Sequence, residues 1–246
     1  MAKFFGNLHL VLVAGLVLAL ALMFTLHGDG VTAQAITRWL HTFFGIVWIG
    51  LLYYFNFVQI PTMPKVPAEL KPGISKHIAP SALFFFRWGA ALTVLLGLII
   101  AVQAGYAHQA FTLQDPYKLI GVGMWLAVIM AFNVWFIIWP NQKIALGMAE
   151  GDAPAAGAKA LLASRHNVLY SAPMAFCMLA SGHPDPSLGW NLYSSMSNSL
   201  IVMLVIIAAL QANAMFGKQG PLTTVKGVIH ASLGLTAVMV LVFNYV

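Results

Sequence analysis

The chain has 246 residues, of which 61% are apolar and only 7% charged, with a formal net charge of +6. Soluble globular proteins carry about 25% charged residues, so this composition excludes that class and places the chain in a lipid bilayer. The basic residues are dispersed over several loops, which reads as anchoring to a membrane surface and excludes nucleic acid as a partner.

A helix needs about 20 mostly apolar residues to cross roughly 30 Å of hydrocarbon. Runs of that kind predict an all-α, polytopic transmembrane bundle forming one domain, with spans near 7–26, 36–58, 82–104, 117–139, 161–180, 197–216 and 225–245. The first run is longer than the core of a signal peptide, about 7–15 residues, and is read as a span. Segments 60–80 and 140–160 read as polar connections, with Glu150 to Gly157 as a flexible surface loop. The fifth span is the least apolar, because Arg165, His166, Asn167 and Pro173 fall within it.

Lysine and arginine placement sets the expected orientation. Lys3, Lys65, Lys71, Lys76, Lys143, Lys159, Arg165, Lys218 and Lys226 fall on the N-terminal side, against Arg38 and Lys118 on the other. An odd number of spans with that asymmetry puts the N-terminus in the cytoplasm and the C-terminus in the periplasm of a bacterial inner membrane.

Polar groups inside spans are expensive and mark interiors, cofactors or cavities. Along the expected orientation they separate into two layers. Near the cytoplasmic ends lie Asn56, Gln59, Arg87, Asn133, His166, Asn167, Gln211, Asn213 and His230; at the outer ends are His41 and His183. Arg87 either snorkels or clamps an anion through its planar fork of donors. Each amide taken singly reads as interhelical glue, but several at one depth suit a planar heterocycle. His41 is followed by Gly45, Trp48 and Leu52 on one helical face. A small residue one turn away leaves room for a flat macrocycle, and neutral imidazole is an axial ligand for haem iron.

Copper is the competing cofactor, since twelve methionines and eight histidines are present and thioether sulfur suits Cu(I). The methionines are scattered singly, so haem b is favoured. The lone cysteine, Cys177, excludes an internal disulfide, and no C-x-x-C-H motif for covalent haem, Walker loop or G-x-G-x-x-G fingerprint occurs.

The run from His41 through Trp48, Tyr53-Tyr54-Phe55-Asn56-Phe57-Val58-Gln59 and Pro61-Thr62-Met63-Pro64 resembles the N-terminal membrane domain of bacterial membrane-bound urate oxidases (urate hydroxylases). So do Phe85-Phe86-Arg87-Trp88, the stretch from Met130 through Asn133, Trp135 and Trp139-Pro140 to Lys143, and Ser181-Gly182-His183. The similarity runs from about residue 36 onward. More remotely, the H-x6-W-x-G-x2-Y pattern is similar to small haem-binding membrane protoporphyrinogen oxidases and to copper-resistance membrane domains.

The resemblance implies an oxidoreductase that hydroxylates urate and passes electrons to cytochrome c. Enzymes of that family carry a C-terminal c-type cytochrome domain, and this sequence stops at Val246. The expectation is therefore either a separate cytochrome as acceptor or recruitment as an accessory subunit of a larger membrane complex. In the first reading, urate is held by Arg87, Asn133, Asn56 and Gln59, with His230 and His166 at the depth for acid/base work. Electrons leave through haem b near Trp48, with His41 and His183 as iron ligands. In the second, a non-catalytic integral subunit of a respiratory or photosynthetic complex binds haem, quinone, lipid or pigment. A small-anion transporter is a third reading, with little support beyond Pro173.

Overall fold

A computed structural model describes residues 2–27, 33–181 and 197–246. The described residues are all-helical, and the long helices are named here in chain order. They are α1 (Leu8–His27), α2 (Ala33–Tyr53), α3 (Ala79–Gln103), α4 (Lys118–Phe132), α5 (Ala153–Ala180), α6 (Ser197–Phe216) and α7 (Val225–Tyr245).

Five helical stretches are both long and apolar enough to cross a membrane: Leu8–Leu26, Ala33–Lys65, Lys71–Gln103, Lys118–Ala145 and Val225–Tyr245. The other two expected spans fall short for different reasons. Within α6, Asn198–Ala214 is apolar but short. α5 has 28 residues, ample length, but its polar content keeps it out of that set. Its position explains why it tolerates this. Every residue from Ala163 to Ser171 is buried, including Ser164, Arg165, His166 and Asn167, so α5 is sheathed by its neighbours and need not be apolar toward lipid. α1 is the opposite case: it is apolar all round, and none of its span is buried within the protein.

The expected loop at Glu150–Gly157 is corrected by the structure, since helix begins at Ala153. Asp152 Oδ1 accepts from the Ala155 backbone N–H at 3.1 Å, and Pro154 follows in the first turn. An acidic N-cap followed by proline is a helix start.

Two helices run on past the expected ends of their spans by combining a π turn with a proline. α2 continues into a π turn over Tyr54–Gln59 and then Ile60–Thr62, and α4 continues into a π turn over Asn133–Ile138 and then Trp139–Ala145. Each π turn ends two residues before a proline, Pro61 or Pro140. Proline lacks an N–H and its ring crowds the carbonyl four residues back. Widening the helix so that Ile60 N–H reaches Phe55 and Trp139 N–H reaches Val134 relieves that conflict. Each π turn contains an asparagine, Asn56 or Asn133, and both are buried.

α2 and α3 cross antiparallel along a seam of small residues. Gly89, Thr93 and Gly97 share one face of α3 and meet Trp48, Gly45 and His41 of α2. This is the close packing that small residues four apart permit in membranes. The main core then gathers α2, α3, α4, α5 and α7 around Trp48, Leu52, Phe86, Met130, Tyr170 and Met239.

Candidate functional site

α5 organises the buried polar groups because it presents a different polar residue to each neighbour. Toward α2, Asn56 donates through Nδ2 to Ser164 Oγ at 2.7 Å and to its own helix at the Leu52 carbonyl at 2.9 Å. Toward α4, Asn167 accepts from Asn133 Nδ2 at 2.8 Å and donates to the Met130 carbonyl at 2.9 Å. Ser164 and Asn167 lie three residues apart on one face of α5, so α5 is the hub to which Asn56 and Asn133 each bond separately.

Beside this hub, the ends of α2, α3, α4 and α5 that lie near the two π turns enclose a cavity of about 170 Å³. Its polar lining is Gln59, Ser75, Gln142 and Ser164, set among apolar residues that include Phe55, Leu83, Phe86 and Ile138. Phe55 and Phe86 close one wall edge-to-face, with centroids 5.7 Å apart. Two amide oxygens here are buried without a partner, Gln59 Oε1 in the lining and Asn56 Oδ1 just behind it. An unpaired buried acceptor costs about 1–3 kcal/mol, and of the two residues Gln59 alone lines the cavity. Among the lining residues none is a side-chain acid or base.

Arg87 stands on the flank of the cavity, not in its lining. Its guanidinium carbon lies 3.8 Å over the Trp139 ring and 5.5 Å from the Phe84 ring centre, and one guanidinium nitrogen is buried without a partner. Lys143 Nζ lies 5.6 Å from the centre of the same tryptophan ring. Trp135 Nε1 ties α4 to this point of α3 by donating to the Arg87 carbonyl at 3.1 Å. Among the described residues the ion pair present is Lys118 with Asp115, so these two cations face no carboxylate.

The histidines disperse. His166 is buried with Nε2 3.1 Å from Gln211 Oε1 of α6, on the side of α5 opposite Ser164. His230 is exposed on α7. Neither reaches the cavity lining, because a shared depth along parallel axes says nothing about which way each helix is turned. His183 lies outside the described residues. His41 is part-buried, with Nδ1 2.8 Å from the Thr93 carbonyl. Since a carbonyl only accepts, Nδ1 carries the proton and Nε2 keeps its lone pair. That donor state fits an axial haem ligand with a backbone partner behind it. The room expected beside Gly45 is taken up by α3, whose Thr93 methyl stands 3.8 Å from where a Gly45 Cβ would be. Trp48 is fully buried at the Gly89 crossing, with its indole N–H unpaired. Among the described residues no group of three His, Cys, Asp or Glu is placed to hold a metal ion.

Sequence reasoning missed Gln142, Ser75 and Ser164. Gln142 had a signal: it follows Trp139-Pro140, and a π turn ahead of that proline carries the helix on to include it. The two serines gave none, since serine is cheap in a membrane helix and commonly bonds its own backbone.

No curated protein matches the chain, and no solved structure matches it. A model of the urate oxidase N-terminal family matches residues 74–244, from just before Ser75 to near the end of α7. That match contains Gln142, Ser164 and the Arg87–Trp139 stack, while Gln59 precedes it. Covering well over half of the sequence, it shows that this helical membrane-type chain belongs to the urate oxidase N-terminal family.

Proposed function

We propose that this urate-oxidase-related protein is a membrane-bound oxidoreductase that oxidises urate, or a similar planar heterocycle, and delivers the electrons to a cytochrome partner. The observation that carries the reading is the Gln59–Gln142 cavity with its unpaired amide oxygen, flanked by the uncompensated Arg87 and Lys143. Urate is a monoanion at neutral pH with ring N–H donors and carbonyl acceptors. Carboxamides offer both complements on one side chain, and the two cations supply the countercharge. A cavity of this size lies below the roughly 300–1,000 Å³ of drug-sized pockets, which suits a small flat molecule. Asn56 positions Ser164, and the Asn133–Asn167 pair holds α4 against α5.

His41 is the residue that would hold a haem, through Nε2; a haem bound there would supply a one-electron relay. His41 itself is kept in the ligating tautomer by the Thr93 carbonyl. A second reading, an integral subunit that binds without reacting, draws on one observation: no titratable side chain lines the cavity.

The test is direct. Purified protein incubated with urate and oxidised cytochrome c is expected to consume urate and reduce the cytochrome, and the protein alone is expected to show a Soret band. Urate binding without turnover would select the second reading, and absence of binding would remove both.

The reading includes seven crossings of the bacterial inner membrane, with α5 and α6 completing the five apolar spans, the N-terminus cytoplasmic and the C-terminus periplasmic. Because Cys177 is the sole cysteine and is buried, a Cys177→Ala background allows single-cysteine labelling in intact cells. In that background Gln114→Cys is expected to react with an impermeant maleimide from outside, whereas Asp152→Cys reacts only after permeabilisation. The reverse pattern overturns the orientation.

A further inference from the structure

A second recess lies between α2, α5 and α7, on the opposite side of the first π turn from the urate cavity. It has a volume of about 180 Å³ and opens sideways, where Leu233 is 58% exposed. Tyr53 and Phe57 form one wall with their rings nearly parallel, 18° between planes and 5.0 Å between centroids. Val168, Ala172 and Ile229 make the rest apolar.

Three hydroxyls line this recess, and their protons can be assigned. Ser171 Oγ donates to the Val168 carbonyl at 2.7 Å, so it accepts from Tyr53 at 2.8 Å. Both protons are therefore committed. Ser232 is 4% exposed, and its Oγ has no partner. A buried hydroxyl left unpaired costs about 1–3 kcal/mol, and this one lines an opening that faces lipid.

Depth narrows the class of ligand. Ser232 is seven residues past the start of α7, about 10 Å along the helix at 1.5 Å per residue. With that start near the interface, an ester carbonyl of a glycerolipid stays above this level, within the headgroup zone. An acyl chain reaches it but brings no acceptor. The ligand must be flat to pack edge-to-face against the mutually stacked Tyr53 and Phe57, apolar enough to arrive through hydrocarbon, and equipped with a carbonyl for Ser232.

From this we infer that the recess binds the ring of a lipid-soluble para-quinone, with a ring carbonyl accepting from Ser232 and one ring face against Tyr53 and Phe57. The site is separate from the urate cavity, and the inference does not rest on urate oxidation.

A photoreactive short-chain azidoquinone, added without urate to the full chain in phospholipid nanodiscs, tests it. Saturable labelling is expected on peptides carrying residues 53–57, 168–172 and 229–233, displaced by unlabelled quinone. Ala172→Phe, which fills the recess, should cut labelling at least about tenfold, and Ser232→Ala should weaken apparent affinity about fivefold, the worth of one hydrogen bond. Melting temperature and elution volume report whether each variant is folded. Labelling that excess quinone does not displace overturns the inference. So does unchanged affinity in Ser232→Ala, which decides the matter alone if Ala172→Phe fails to fold.

Discussion

Gln59→Leu is expected to lower kcat/KM for urate by about 10- to 100-fold while leaving the protein as stable as the wild type or slightly more so. The first half follows from the unpaired Gln59 Oε1 in the cavity lining. A hydrogen bond to a charged ligand is worth about 1.5–3 kcal/mol, and each 1.36 kcal/mol is tenfold in rate. The second half follows from the same atom, because deleting an acceptor that has no partner in the free protein removes a desolvation cost without breaking a bond. Steady-state kinetics read with the melting temperature separate the two. Parallel loss of activity and stability would make Gln59 a structural amide, and unchanged kinetics would move the substrate elsewhere. Arg87→Gln sharpens the comparison. Its guanidinium stacks on Trp139 beside the cavity, so the substitution is expected to raise KM through lost charge, with the effect shrinking at high salt.

The contrast between Gln59 and Asn133 shows how far the sequence can be read. Both are amides expected at one depth, near the cytoplasmic ends of their spans. Only coordinates distinguish Asn133, whose donor is spent on Asn167, from Gln59, whose oxygen is free. Hydrophobic runs locate helices because membrane insertion is a matter of summed transfer energy over about 20 residues. They carry no information on how a helix is rotated about its axis once its polar side is enclosed. α5 makes the point most plainly: its mixed composition reads as a weak span, yet it is the helix on which the buried polar bonds to α2, α4 and α6 are built. His166 shares the depth of the amides and yet faces α6. The prolines mislead in the other direction. The expected spans end at 58 and 139, just ahead of Pro61 and Pro140, whereas a π turn lets each helix continue, and Gln59 and Gln142, beyond those ends, both line the cavity.

Gly89→Leu is expected to cost about 1–3 kcal/mol from overpacking, and more as α2 and α3 are pushed apart and their close packing is forfeited. A Cβ at position 89 would stand 3.3 Å from the Trp48 backbone nitrogen and 3.4 Å from its Cα. Those are atoms of a helix backbone and cannot swing aside as a side chain can, so the whole of α2 must shift. Two turns further along the seam, His41 Nδ1 sits 2.8 Å from the Thr93 carbonyl, and a Cβ on Gly97 would come within 3.0 Å of the same imidazole. A spread started at Gly89 therefore loosens the bond that fixes the His41 tautomer. The expected readout is a lower melting temperature in detergent, with any haem spectrum shifted or lost in step. Gly50→Leu is the matched control, because a Cβ there meets nothing within 4 Å and leucine favours helix over glycine by most of a kcal/mol. Gly50→Leu should hold its melting temperature or gain. If Gly50→Leu and Gly89→Leu fell equally, the loss would belong to added bulk on α2 and α3 in general, and the seam between His41 and Gly97 would not be what holds these two helices together.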